Sequence, residues 1–377
     1  MTESVHIEKV LPSTPQEKEF IQLPFIVYKN NPHFVPWFNR SLKQIIAGRH
    51  PYFNHSQGEF FIARRDKETV ARIALLEPKK FNDYQGKKDA RFYFFETKDD
   101  LRAVSELFSF AEDWARKRKL NRITGPQGFS GFTGAGILVD GFDETAAMTM
   151  MNYHLPYYRE LIEGVGFEKY KDFFSAEINA ELQGLPQKYR IFADLAMKRG
   201  RFHTPELKSK KELQVIAREI GELYNNSFGD REEFCPMTRA EIDFMMDDLI
   251  TATDPSLVKI LRHGEELAGF ILAFPDISES MKQAEGRLTP LTIRSMMKEK
   301  KRTTRFLING IGILPKYQKS GGIAILFNEI TKALRANNVS RAEMTQIAET
   351  TDLMISSIRK LDARIYKTHR VYEKHLS

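Results

Sequence analysis

Two stretches of this chain, almost two hundred residues apart, are written in one pattern. Glu59 to Glu77, EFFIARRDKETVARIALLE, and Leu257 to Phe274, LVKILRHGEELAGFILAF, each give an apolar run, a short polar turn and a second apolar run. Such a pair of runs reads as a β-hairpin. Arg65 and Arg262, 197 residues apart, close the first run of each. A second pair, Tyr157 to Phe174 and Leu353 to Tyr372, reads as helix, tight turn and strand, with Val165 and Leu361 at the turns, 196 residues apart. Chance likeness of two hairpins is one explanation. Two similar offsets, one near the start of each unit and one near its end, support the other: tandem copies of a single α/β unit. A length of 377 residues agrees, being more than one hydrophobic core usually spans. Gly184 and Pro186 interrupt the polar stretch Asn179 to Pro186 and place the boundary between residues 183 and 184. The expected units are therefore 1–183 and 184–377.

The copies differ where a strand feeds a helix. In the second, the apolar strand Phe306 to Ile313 runs through Pro315 into a basic, glycine-rich turn and then an amphipathic helix, Ile323 to Ala336. The first N–H groups of such a helix lack intrahelical partners, and with the helix dipole they suit a phosphate or pyrophosphate. Gly321 and Gly322 let backbone approach an anion closely, Lys316 and Lys319 add positive charge, and Gln318 and Ser320 add hydrogen-bonding groups. The plainer reading is that the glycines serve only the geometry of a β-α turn. In the first copy the strand Arg91 to Phe95 and the helix Asp99 to Lys117 are joined by Glu96-Thr97-Lys98-Asp99-Asp100, with three acids and no glycine. Carboxylates stabilise a helix N-terminus but repel a pyrophosphate there. Only the second copy is expected to bind such an anion.

Composition narrows the setting. The formal charge is +7, from 57 basic and 50 acidic residues, which favours anionic partners. The densest basic run, Lys298 to Arg302, reads as a solvated loop, and no RNA-binding signature accompanies it, so nucleic acid is not expected. Cys235 is the only cysteine, which excludes an internal disulfide and a cysteine-based zinc site and fits a reducing cytoplasm. The opening MTESVHIEKV has no basic and apolar leader pattern, and apolar runs such as Gly269 to Phe274 are too short to span a bilayer, so no membrane partner is expected.

The glycine-rich turn resembles the coenzyme A loop of the GNAT superfamily of N-acetyltransferases, Q/R-x-x-G-x-G/A. The match is Lys319-Ser320-Gly321-Gly322-Ile323-Ala324, with lysine at the Gln/Arg position and Gln318 one residue early. Strand before, helix after, then strand Arg341 to Ala348, helix and strand is the order of the second half of that fold. The resemblance reaches across residues 20 to 375. Asn31-Pro32-His33-Phe34-Val35-Pro36, Gly136-Ile137-Leu138-Val139-Asp140-Gly141-Phe142, Phe274-Pro275-Asp276 and Arg370-Val371-Tyr372-Glu373-Lys374 resemble a family of uncharacterised bacterial tandem GNAT-like proteins. The fold so implied is α/β (α+β): two tandem GNAT-like units, each a mixed, largely antiparallel sheet flanked by helices. Acetyl-coenzyme A, or another acyl-coenzyme A, is the implied co-substrate and a small amine or a peptide the implied acceptor, with no metal.

By the same resemblance, backbone groups of Ile311, Gly312 and Ile313 would face the pantetheine arm and the acyl oxygen, and Gly310 and Gly312 suit a bulged strand. The tyrosine that many GNAT enzymes use to protonate the leaving thiolate is replaced by Ile358, and Thr351 takes the place of a frequent asparagine. Tyr366 and Tyr372 are possible substitutes or packing residues. For a base, Glu349 is placed nearest the end of the strand that it shares with Glu343; capping of the next helix is its alternative reading. Other chemistries fail on spacing. Gly128-Phe129-Ser130-Gly131-Phe132 lacks the last glycine of a nucleophile elbow, and His369 and His375 have no third ligand nearby. Two functions follow from the residues: an N-acyltransferase, or a protein that holds acyl-coenzyme A without turnover.

Overall fold

A computed structural model of the chain describes residues 4–131, 133–179, 186–227 and 234–376. It divides into two compact units. Unit 1 comprises Met1–Phe174, Ile277–Glu299 and Tyr366–Ser377; unit 2 comprises Ser175–Asp276 and Lys300–Ile365. The boundary expected between residues 183 and 184 lies outside the described residues, as does Phe132 of the rejected nucleophile elbow.

Unit 1 opens with β1 (Val5–Val10), α1 (Pro15–Val27), α2 (Asn39–Ile46), β2 (Gln57–Arg65) and β3 (Glu68–Glu77). There follow α3 (Lys79–Gln85), β4 (Asp89–Thr97), α4 (Leu101–Lys117), β5 (Arg122–Gly125), β6 (Ile137–Asp140), α5 (Tyr157–Gly164) and β7 (Glu168–Asn179). The pattern restarts with α6 (Gln187–Arg199), β8 (Phe202–His203), α7 (Lys210–Ser227), α8 (Arg239–Ala252), β9 (Val258–His263) and β10 (Glu266–Pro275). Then come α9 (Ser278–Ala284), α10 (Pro290–Lys300), β11 (Arg305–Ile313), α11 (Pro315–Gln318), α12 (Gly322–Ala336), β12 (Arg341–Ala348), α13 (Asp352–Lys360) and β13 (Arg364–His375).

Within each unit five strands follow one plan. Unit 1 has the order β1-β2-β3-β4-β5 and unit 2 the order β8-β9-β10-β11-β12. Neighbours are antiparallel except β4 with β5 and β11 with β12, which are parallel. Parallel neighbours need a long crossover, and α4 and α12 supply it in their respective units. Each crossover helix turns an apolar stripe to its sheet: Val104, Leu107, Phe108, Ala111 and Trp114 in α4, and Ile323, Leu326, Phe327 and Ile330 in α12 are all buried. β13 lies antiparallel to β5, with Tyr372 opposite Gly125, so the chain's last strand serves the first unit's sheet.

Strand β8 has only two residues, paired through His203 with Arg262 at the sheet's edge. Pro205 has no N–H to give a ladder, which ends the strand there. The basic run read as a loop begins on α10, since Lys298, Glu299 and Lys300 are helical and only Lys301 and Arg302 form the turn after it. Thr238 and Glu241 form a reciprocal capping box at the start of α8.

Candidate functional site

Unit 2 concentrates its irregular backbone where β11 leaves β12. The β10–β11 register jumps from Ile271 opposite Ile311 to Ala273 opposite Ile308, so Asn309 and Gly310 form a bulge. Gly310 sits at φ +116°, a conformation that favours glycine. The described pairing of β11 with β12 ends at Ile308 opposite Met344, although β11 runs on to Ile313 and β12 to Ala348. Beyond that point the strands part. Ile311 is half-buried, while Gly312 and Ile313 are buried. On the facing strand Gln346 holds φ +56°, unusual for a residue with a side chain, and Thr345 Oγ1 is buried with no hydrogen-bond partner among the described residues. Neither was foreseen, because a positive φ leaves a sequence signal at glycine but not at glutamine.

The loop after β11 is more ordered than a bare turn. Leu314 N–H bonds to Ala268 O at 2.9 Å, Pro315 opens the single turn of α11, and Ser320 N–H returns to Tyr317 O at 3.1 Å. Lys316 Nζ lies 2.7 Å from Glu266 Oε1, and the Tyr317 hydroxyl donates to Glu266 Oε2 at 2.7 Å. Those two hydrogen bonds, from Lys316 first and then Tyr317, hold the Glu266 carboxyl below its usual range. Lys316 is thus committed to Glu266. Gln318 Nε2 donates to Ile313 O at 3.4 Å. Lys319 and Ser320 are exposed, with no side-chain hydrogen bond or ion pair among the described residues. α12 then begins at Gly321 with no side-chain cap, which leaves the N–H groups of Gly322, Ile323 and Ala324 without intrahelical partners.

Its glycines have packing reasons of their own. Gly321 adopts φ +80°, and a Cβ there would come within 2.6 Å of Ala196 Cβ on α6. A Cβ on Gly322 would meet Ile313 Cδ1 at 2.2 Å and Leu261 Cδ2 at 3.0 Å. A side chain at Gly321 is therefore disfavoured by the protein itself, before any ligand arrives, and one at Gly322 would require the ends of Ile313 and Leu261 to shift. What fits an anion is the free helix start and the exposed Lys319 and Ser320 beside it.

The two candidate catalytic residues belong to different units. Glu349 is half-buried, one residue past the end of β12. The cap of α13 is Thr351, without a side-chain cap bond, so the alternative reading of Glu349 as that helix's cap does not hold. Tyr366 belongs to unit 1, where it is 8% exposed and Lys367 Nζ stands 5.0 Å above its ring centre. Ile358, which stands where the GNAT resemblance would put a tyrosine, is buried at 1% exposure. A different tyrosine reaches that helix: Tyr189 of α6 hydrogen-bonds Ser357, and burial pushes its pKa up to about 12. α6 thus touches both the start of α12, through Ala196 and Phe192, and α13, through Tyr189.

Unit 1 closes its own counterpart. Thr97, in register with Gly312 on the corresponding strand, gives its N–H to the Tyr158 hydroxyl at 2.9 Å, and its carbonyl accepts from Tyr157 at 2.8 Å. Asp100 caps α4 by accepting from Ala103 N–H at 3.0 Å, and Arg65 pairs with it at 2.7 Å. Among the described residues no group of three metal-ligating side chains occurs, and no helix is long and apolar enough to cross a membrane.

The sequence matches no family model. It is similar to a protein named bacterial ceramide synthase from Caulobacter vibrioides, 28% identical over 96% of this chain and 96% of that one. Protein YghO of Escherichia coli K12 is 24% identical over 95% of this chain and 93% of its own. Among solved structures, a tandem GNAT protein from the clavulanic acid biosynthesis pathway superposes with a TM-score of 0.58 at 12% identity, covering 99% of this chain and 98% of that one. A GCN5-related N-acetyltransferase from Sphaerobacter thermophilus gives 0.51 at 12% identity, covering 98% and 95%. The fold is that of a tandem GNAT protein over the whole chain.

Proposed function

We propose that this tandem GNAT-fold protein is an N-acyltransferase that moves an acyl group from coenzyme A to an amine, with unit 2 as the coenzyme site. The observation that carries the reading is the uncapped start of α12, which follows, through the single turn of α11, a strand that has parted from its neighbour. Pyrophosphate oxygens would accept from the N–H groups of Gly322, Ile323 and Ala324, with Lys319 and Ser320 beside them. The acyl carbonyl would lie along Ile311 to Ile313, where backbone N–H groups stabilise the developing oxyanion.

The amine nitrogen bonds to the carbonyl carbon, the carbon–sulfur bond breaks, and the thiolate takes a proton while the new amide nitrogen loses one. Glu349 is the candidate base. The coenzyme thiol has a pKa near that of free cysteine, about 8.5, so its departure near neutral pH needs little help from an acid. Tyr189, held neutral and hydrogen-bonded to Ser357 of α13, is the candidate donor within unit 2.

The Caulobacter relative's name supports a long-chain amino alcohol as acceptor and an acyl chain longer than acetyl. A cytoplasmic setting, where coenzyme A thioesters are made, goes with this reading. Thiol release should be followed with acetyl- and palmitoyl-coenzyme A against a sphingoid base, short amines and peptides, beside calorimetric titration of each thioester. Turnover with an amine supports transfer. Binding of a thioester without turnover on any amine selects the second reading, a protein that holds acyl-coenzyme A; Ile358 at the usual tyrosine position favours it. Absence of binding defeats both.

A further inference from the structure

The helix α10 is built inside out. It starts from Thr289, whose Oγ1 accepts from Thr292 N–H at 3.2 Å, with Pro290 in the first position. The side turned to the rest of unit 1 is polar. Glu299 Oε2 accepts from Ser280 N–H at 2.7 Å, and Ser295 Oγ lies 3.1 Å from Ser280 Oγ. No residue of the helix is buried. Its other side carries Met297, 60% exposed, and Ile293, 45%, while Leu291, 78% exposed, projects from the first turn above Ser295. A surface helix ordinarily turns its apolar stripe to the core, so three large apolar side chains held in water while serines and a glutamate face inward need an occupant outside.

Charge says which. Ile293 and Met297 are four residues apart and share one ridge of the helix; Arg294 and Lys298, also four apart, form the next, with Leu291 beside them. Arg294, Lys298, Lys301 and Arg302 are all exposed and make no ion pair among the described residues. From Pro290 to Arg302 the one acid is Glu299, and it is turned inward. A protein groove that took the apolar side chains would have to desolvate cations at its centre, where charged residues are depleted. At a bilayer surface the same Lys and Arg side chains extend to lipid phosphates while the apolar ones sink.

We infer that α10 docks flat on an anionic lipid bilayer, with Leu291, Ile293 and Met297 entering the boundary between headgroups and acyl chains and the four cations meeting lipid phosphates. Eleven residues are too few to span. The earlier expectation of no membrane partner came from the lack of a spanning segment, and a helix that lies on the surface needs none. This inference stands apart from the acyl-transfer reading, since vesicle binding is measured without substrate.

The full chain should co-sediment with vesicles of phosphatidylcholine and phosphatidylglycerol, and about tenfold less with phosphatidylcholine alone or in high salt. Leu291→Glu with Met297→Glu should abolish binding, and Arg294→Ala with Lys298→Ala should weaken it about tenfold. Leu291→Ser with Met297→Ser, milder and confined to exposed positions, guards against misfolding, and circular dichroism should show all variants folded. Wild-type protein that stays in solution with anionic vesicles overturns the inference, as does equal sedimentation of wild type and all variants. Failure to bind vesicles together with a concentration-dependent dimer that Leu291→Ser with Met297→Ser dissolves would assign the face to a second copy instead.

Discussion

The two units carry the same five-strand plan and end it differently at the same place. Each bulges on the strand before its crossover helix: Asn309 and Gly310 on β11, Phe94 and Phe95 on β4. Past the bulge, unit 2 has Ile311 and Gly312 where unit 1 has Glu96 and Thr97. In unit 2 the crossover helix begins uncapped; in unit 1 a carboxylate caps it and two tyrosine hydroxyls take up the backbone of Thr97. A splayed strand pair thus has two stable endings. One leaves donors for a ligand, and the other satisfies them from within.

Unit 1's ending is tied into its core by an ion pair that unit 2 lacks. Arg72 is 2% exposed, its guanidinium lies 4.6 Å from the Phe20 ring centre, and Nε meets Glu96 Oε2 at 2.5 Å. The positions in register in unit 2 are Ile271 and Ile311. Glu96→Ala should therefore strand a buried cation and cost about 3–5 kcal/mol in chemical denaturation. Ile311→Ala removes only half-buried apolar surface and should cost less. Equal losses would show that the pair does not distinguish the units.

Next in size is a transplant. Ser320→Asp gives unit 2 the kind of carboxylate that unit 1 has in Asp100, at an exposed position that keeps both glycines. A carboxylate at the start of α12 would compete for its N–H groups and repel a pyrophosphate. Coenzyme A affinity should fall roughly a hundredfold, or about 2–3 kcal/mol, in calorimetric titration. Unchanged affinity would remove the coenzyme site from this loop. Valine at Gly321 and Gly322 would be a poorer test, because clashes with Ala196 and Ile313 would disturb the fold as well as any ligand.

A third effect belongs to unit 1 alone. His154 is buried, accepts Leu138 N–H at its Nδ1 at 3.2 Å, and has its pKa lowered to about 3, by burial first and by His369 second. Unfolded, the ring titrates near 6.5. Between those values the unfolded chain binds a proton that the folded one does not, so stability falls as pH falls through this window, by about 1.4 kcal/mol per unit. At pH 5 the loss from this group should be about 2 kcal/mol. In His154→Gln that share of the slope should vanish; an unchanged profile would place the sensitivity elsewhere.

What the sequence disclosed was local. The hairpins and the strand Arg341–Ala348 follow from apolar spacing and turn residues and stand where expected. The glycine at Gly321 was legible as a turn residue, but not the Ala196 methyl that excludes a side chain. Tyr28 meets Tyr158 across 130 positions, and Thr97 is filled by tyrosines about 60 positions away. No spacing rule reports such pairings, because they are set by the packing of whole elements. For the same reason Tyr366 was read with the second unit: local pattern places it on the last strand, and only sheet pairing shows that strand beside β5.

The smallest expected effect separates the two endings most cleanly. Asp100→Ala removes the cap of α4 and the partner of Arg65 while leaving unit 2 untouched. Losing an N-cap carboxylate costs about 1 kcal/mol, and the half-buried ion pair adds little beyond that. Thermal unfolding should register this loss, but coenzyme A affinity should not move, since Tyr157 and Tyr158 would still occupy the backbone of Thr97. If coenzyme affinity instead rises, or a second equivalent binds, then the carboxylate alone kept unit 1 closed and the tyrosines yield to a ligand. Asp100→Ala combined with Tyr157→Phe would then strengthen the second site further, which calorimetric stoichiometry reads directly.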